Sequence, residues 1–277
     1  TFLAMLIGAS VGREGPSVQV GAAVMLAWGA YCRRHRLAFG GFSTNELLAT
    51  GAAGGLAAAF NAPLAGIIFA IEELGRGLHL QWQRRVLLGV LAAGFILVAI
   101  KGNSPYFPRY GGTGSAPLAW IILCGLTCGL AGGIFARLLA KGLAGYVPPC
   151  WRARLRRHPL ITAFALGLLL AALGTYSHGQ TYGTGYQTVA AALHGIPPEP
   201  AGTGLAKLAA TVATYWTGIA GGIFTPALST GAGIGSALWL LSDGSVAQGL
   251  IALLCTAAFL AAATQSPVTA SVVVMEM

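Results

Sequence analysis

Long apolar stretches separated by short polar clusters set the pattern of this chain. Runs free of charge span 47–71, 86–100, 118–136, 160–177 and 250–275. Each reaches or approaches the ~20 residues a helix needs to cross hydrocarbon, so several membrane crossings are predicted. Pro63 and Pro267 fall inside two of these runs. A proline there removes a backbone donor and crowds the preceding turn, which predicts broken helices at both places.

Basic residues gather between the runs, at Arg33, Arg34 and Arg36, at Arg76, Arg84 and Arg85, and at Arg152, Arg154, Arg156 and Arg157. The excess of Lys and Arg in cytoplasmic loops puts all three clusters on the cytoplasmic side. The chain between them then goes out and returns, and 101–117, bearing only Lys101 and Arg109, reads as an outside loop.

Composition strengthens the membrane reading. A chain that is 56% hydrophobic and 8% charged has too little polar residue to cover a soluble surface. Its 41 glycines suit membrane helices, where small residues let backbones approach closely. The formal charge of +9 does not point to nucleic acid, because the basic residues form separate clusters and no continuous aromatic-studded face.

The five cysteines, Cys32, Cys124, Cys128, Cys150 and Cys255, follow neither a disulfide nor a zinc spacing and are expected in the core. His35, His79, His158, His178 and His194 show no metal-ligand spacing, Ser17 lacks a His and Asp partner, and no phosphate-binding loop is present. Hydrolysis, redox chemistry and ATP-driven transport are disfavoured; no metal and no cofactor is expected. The first residues, 1–9, already read as the inside of a helix, and the chain is expected to be an interior portion of a longer protein.

Two features recur along the chain. Gly8, Gly12, Pro16 and Gly21 share their spacing with Gly218, Gly222, Pro226 and Gly231, at an offset of 210 residues. Asn61-Ala62-Pro63-Leu64-Ala65-Gly66 with Glu72 is matched by Gln265-Ser266-Pro267-Val268-Thr269-Ala270 with Glu276, at an offset of 204. Transporters are often built from two such halves, with the site at their interface.

The chemistry concentrates in these repeats. In Gly12-Arg13-Glu14-Gly15-Pro16-Ser17 a helix is predicted to start near Pro16. Its first amides lack intrahelical partners and, with the helix dipole, favour negative charge; the Glu14 carboxylate is at that spot. The second copy, Gly221-Gly222-Ile223-Phe224-Thr225-Pro226, has no acid in the bend, so its amides are open to another anion. Either a permeating anion competes with Glu14, or Glu14 and Arg13 neutralise each other. Glu72 and Glu73 end an apolar stretch. Acids within a membrane are costly, so either one of them carries protons or both mark a helix end beside Arg76.

Those two glycine motifs, together with the segment from Asn61 through Glu73, resemble signature segments of the CLC chloride channel and transporter family, in the family's order. The resemblance implies an all-α polytopic membrane fold, an inverted repeat of tilted and partial, re-entrant helices. Residues 1–100 would be the remainder of the first half-repeat and the start of the second, and 101–277 the second half, in one transmembrane domain. The family's serine-bearing motif would precede Thr1 and its late tyrosine would follow Met277.

It also implies a multi-pass cell-membrane homodimer carrying chloride and protons through the lipid bilayer, with no nucleic acid partner. By the same resemblance Glu14 is the gating glutamate, displaced from an anion position when protonated, and Glu73 is the internal proton-transfer residue. Gly12, Arg13, Gly15 and Pro16, with Gly222, Ile223, Phe224, Thr225 and Pro226, would frame the anion, Ile223 and Phe224 through their amides. The function implied is chloride/proton antiport. A passive voltage- or pH-gated chloride channel is the alternative; an intramembrane enzyme or a purely structural membrane protein has less in the sequence to support it.

Overall fold

The computed structural model describes residues 1–37, 42–75, 84–102, 104–112 and 114–276. Arg76 and His79 lie outside the described residues. The described residues are all-α: thirteen α-helices, one π-helical turn and no strand, with a single isolated bridge between Gly12 and Gly222. The chain falls into two compact units, one of Thr1–Gly12 with Pro108–Gln265, the other of Arg13–Phe107 with Ser266–Met277.

The unit that begins at Arg13 is built on α2 (Glu14–Arg34) and α3 (Thr44–Phe60). They run antiparallel with their backbones in contact, because a Cβ on Gly21 would strike the Gly51 carbonyl and a Cβ on Gly55 the Ser17 carbonyl. Small residues are what permit this approach, and in lipid close packing is the main force holding helices together. Arg33 and Arg34 close the last turn of α2, where positive charge offsets the C-terminal end of the helix dipole.

Helix α3 starts with a capping box. The Ser43 hydroxyl accepts from the Glu46 amide at 3.2 Å, and Glu46 Oε2 accepts from the Ser43 amide at 2.6 Å. The helix ends at Asn61, held left-handed at φ +51°, whose side-chain amide donates to the carbonyls of Gly102 at 3.1 Å and Ser104 at 2.5 Å. The chain restarts two residues later as α4 (Pro63–Phe69), with proline at the favoured first position. It continues through the π-turn Ala70–Leu74. Two further helices, α5 (Arg84–Lys101) and α13 (Pro267–Glu276), pack against α4.

In the other unit, α1 (Phe2–Leu6) leads into the segment 8–12. There follow α6 (Leu118–Tyr146), α7 (Pro149–Arg157), α8 (Pro159–Tyr176), α9 (Tyr186–Leu193), α10 (Thr203–Trp216), α11 (Phe224–Trp239) and α12 (Gln248–Thr264). Glycines set the close contacts again. A Cβ on Gly132 of α6 would come 2.7 Å from the Phe259 carbonyl of α12, and one on Gly233 of α11 would come 2.6 Å from Gly204 of α10. The Phe135 and Phe259 rings, 5.6 Å apart, fill the α6–α12 contact.

Among the described residues, α6 and α8 are the two helices long and apolar enough to cross a membrane by themselves. Helix α8 leaves Leu160, Ile161, Phe164 and Leu168 exposed, a face suited to lipid and costly in water. Two of the five apolar runs differ from single crossings. The run 47–71 breaks at Asn61 and Ala62, and 250–275 breaks at Gln265, which is left-handed at φ +59°. Of the cysteines, Cys32, Cys124, Cys128 and Cys255 are buried, whereas Cys150, expected in the core, is exposed on the basic helix α7.

Candidate functional site

The first repeat of the sequence is a repeat of backbone geometry. Gly8 and Gly218 bend the chain at φ +89° and +82°, a region glycine enters without steric cost. Four residues on, Gly12 and Gly222 meet in a reciprocal antiparallel bridge, the Gly12 amide donating to the Gly222 carbonyl at 2.7 Å and the Gly222 amide to the Gly12 carbonyl at 3.0 Å. Space is tight beside it: a Cβ on Gly221 would lie 2.6 Å from Val11 Cγ1. The residue after each bridging glycine has the same conformation, Arg13 at φ −91°, ψ −9° and Ile223 at φ −106°, ψ −12°. Each launches a helix, α2 at Glu14 and α11 at Phe224.

These two helix starts differ in charge. Glu14, only 1% exposed, is the first residue of α2, whereas the first turn of α11 holds no acid and buries Thr225 and Pro226. The dipole of a helix favours negative charge at its start, and α11 is 16 residues long; at α2 a tethered carboxylate already supplies that charge. Arg13 is committed elsewhere in its unit. Its guanidinium donates to the Ala59 carbonyl at 3.3 Å and lies 4.5 Å from the centre of the Tyr106 ring.

The second repeat forms a reciprocal clamp. Glu72, nine residues after Pro63, accepts the amides of Val268 and Thr269 at the start of α13, at 3.2 and 2.6 Å. Glu276, nine residues after Pro267, accepts the amides of Leu64 and Ala65 at the start of α4, at 3.1 and 2.7 Å. Each acid thus neutralises the orphan donors of the other helix. This separates the two neighbouring acids, which the residue pattern alone leaves equivalent and only the family resemblance tells apart. Glu72 is a cap, whereas Glu73 Oε2 is buried with no hydrogen-bond partner among the described residues. Both sit in the π-turn, a distortion that recurs at functional sites.

The model for one protein family, described as voltage gated chloride channel, matches residues 1–277. The chain belongs to that family. Among curated relatives it is 31% identical over 288 residues to the H(+)/Cl(-) exchange transporter ClcA of Vibrio vulnificus, covering 98% of this chain and 59% of the relative. The Vibrio parahaemolyticus protein of the same name is 32% identical over the same shares. The chain therefore spans 59% of the length of these relatives.

Among solved structures, a slow cyanobacterial Cl-/H+ antiporter superposes with a TM-score of 0.77 at 27% identity, over 100% of this chain and 65% of the other. A CLC-type fluoride/proton antiporter gives 0.71 at 24% identity over 96% and 69%, a likeness of fold. The fold is the all-α membrane fold of the CLC family, and the named relatives are transporters. Among the described residues no group of His, Cys, Asp and Glu is arranged to hold a metal.

Three sets of contacts escape the sequence reading: the Ser43–Glu46 capping box, the Glu72–Glu276 clamp and those of Lys207. The capping box was visible as Ser-x-x-Glu before an apolar run. Lys207 was visible as the one charge in the otherwise uncharged helix Thr203–Trp216, a position at which a cation is functional by default.

Proposed function

We propose that this chain carries out chloride/proton antiport, with Glu14 as the gate and Glu73 on the proton path. The observation that carries the reading is the Gly12–Gly222 bridge, in which the two copies of one motif pair with each other and each then starts a helix, one with an acid and one without. Ionised Glu14 occupies an anion position; protonated, it leaves, and chloride enters. A single residue thereby answers to both ions.

Gly12, Gly15 and Pro16 shape the bend around Glu14, and Arg13 anchors it through Ala59 and Tyr106. Gly222 lets the backbone approach the ion, Ile223 and Phe224 offer amides, and Thr225 and Pro226 build the first turn of α11. The unpartnered Glu73 oxygen suits a proton acceptor. The chain works as part of a multi-pass cell-membrane homodimer, with its two half-repeats in one transmembrane domain. It needs no cofactor and performs no covalent chemistry. The names of its relatives support the ion pair chosen.

The test is proton uptake by liposomes holding the full-length protein, with a chloride gradient as the only driving force. Uphill proton movement that disappears in Glu73→Gln supports the exchanger. Chloride flux without proton movement in either protein makes it a passive channel and refutes the proposal.

A further inference from the structure

Helix α10 presents a polar ladder to the interior of its unit. Lys207, Thr211 and Thr214, at spacings of four and three, share one helix face and are 1%, 3% and 0% exposed. Thr211 Oγ donates to the Lys207 carbonyl at 2.8 Å, which leaves it to accept from Ser10 Oγ at 2.8 Å. Thr214 Oγ donates to the Ala210 carbonyl at 2.8 Å and accepts from the Ser10 amide at 3.1 Å. Two rungs thus grip Ser10.

The third rung is a buried lysine. Lys207 Nζ donates to the carbonyls of Thr181 at 2.9 Å and Gly183 at 2.8 Å, and among the described residues no carboxylate pairs with it. The Gly183 amide in turn donates to the Ala9 carbonyl at 3.2 Å. Room for the ammonium stem is kept by Gly185 at φ +79°, where a Cβ would lie 3.0 Å from Lys207 Cε. Burying an amine is costly whether it keeps its proton without a counter-ion or gives it up, and a methionine would fill the same space without that cost. Packing therefore does not account for the lysine.

We propose that Lys207 is a positioning residue for anion transport. With Thr211 and Thr214 it clamps the turn 177–185 and the segment 8–12, which carries the Gly12 half of the bridge and runs directly into Arg13 and Glu14. The proposal rests on the reading of Glu14 as the gate, and the experiment separates the two.

Chloride and proton fluxes are measured in liposomes for the full-length protein and for Lys207→Met, Lys207→Arg, Thr211→Val and Glu14→Gln, with the amount of folded protein read by size exclusion. Loss of positioning slows turnover, by up to about a hundredfold for a displacement near 1 Å. Lys207→Met is expected to show that fall with its folded yield and half-saturating chloride near wild type, and Lys207→Arg to recover much of the rate. Thr211→Val, which frees Ser10 but keeps the charge, is expected to slow turnover in the same way.

Wild-type turnover in Lys207→Met overturns the proposal. So does a silent Thr211→Val beside a Lys207→Met whose defect is in half-saturating chloride, since Lys207 would then act by its charge. Should Lys207→Met fail to fold, Thr211→Val decides alone. Coupled exchange persisting in Glu14→Gln would sink the gate reading and leave the clamp standing.

Discussion

Replacing Glu72 with glutamine isolates the clamp between α4 and α13. The substitution keeps the shape of the side chain but sets an NH2 group against one of the two amides, Val268 or Thr269, that the carboxylate accepts at 3.2 and 2.6 Å. One hydrogen bond to a charged acceptor is lost, worth about 1.5–3 kcal/mol, together with about 0.3–1 kcal/mol of charge–dipole attraction. Glu72 is only half-buried, so solvent screening brings the sum to about 2 kcal/mol. For a chain of this size that lowers Tm by about 4–8 °C.

Thermal unfolding of purified Glu72→Gln, Glu276→Gln and the double variant, followed by tryptophan fluorescence, measures these terms. Both acids secure one helix pair, so releasing the first weakens what the second can hold. The double variant should fall short of the sum of the singles by more than about 0.5 kcal/mol, the coupling expected of groups in one network. Proton coupling should survive in Glu72→Gln. A Tm unchanged in both single variants would refute the clamp, and loss of proton movement in Glu72→Gln at unchanged Tm would make Glu72 the carrier.

Glu14→Gln should retain chloride flux in liposomes while losing chloride-driven proton uptake, because a neutral side chain neither competes as an anion nor carries a proton. Gly51→Ala drives a methyl into the Gly21 carbonyl across α2 and α3; overpacking of this kind should cost about 1–3 kcal/mol, read as a lower Tm or a lower monodisperse yield. Ser43→Ala removes the hydroxyl that accepts the Glu46 amide and should cost about 1 kcal/mol by the same thermal assay.

What the sequence could disclose divides along a physical line. The glycine spacing of the first repeat and the prolines of the second are local requirements: Gly8 and Gly218 need positive φ, and Pro63 opens α4 where its missing donor costs nothing. Such requirements leave a residue type at a fixed interval, and they were legible. The breaks at Asn61 and Gln265 were half legible, since the prolines marked the restart but nothing marked two left-handed side-chain amides ending the helices before it.

Partnerships between distant segments left no such trace. Glu72 and Glu276 stood out by their equal distance from a proline, yet their partners are the amides of the opposite helix, 196 and 212 residues away for Val268 and Leu64. Backbone amides carry no sequence signature. Lys207 is the same case, its ligands being the carbonyls of Thr181 and Gly183. The repeat is therefore informative beyond its motifs. Where two copies of an acid-bearing segment pack together, each acid can satisfy the helix start of the other copy, and with Glu72 and Glu276 so engaged it is the adjacent Glu73, its Oε2 buried and without a hydrogen-bond partner among the described residues, that fits the proton role proposed for it.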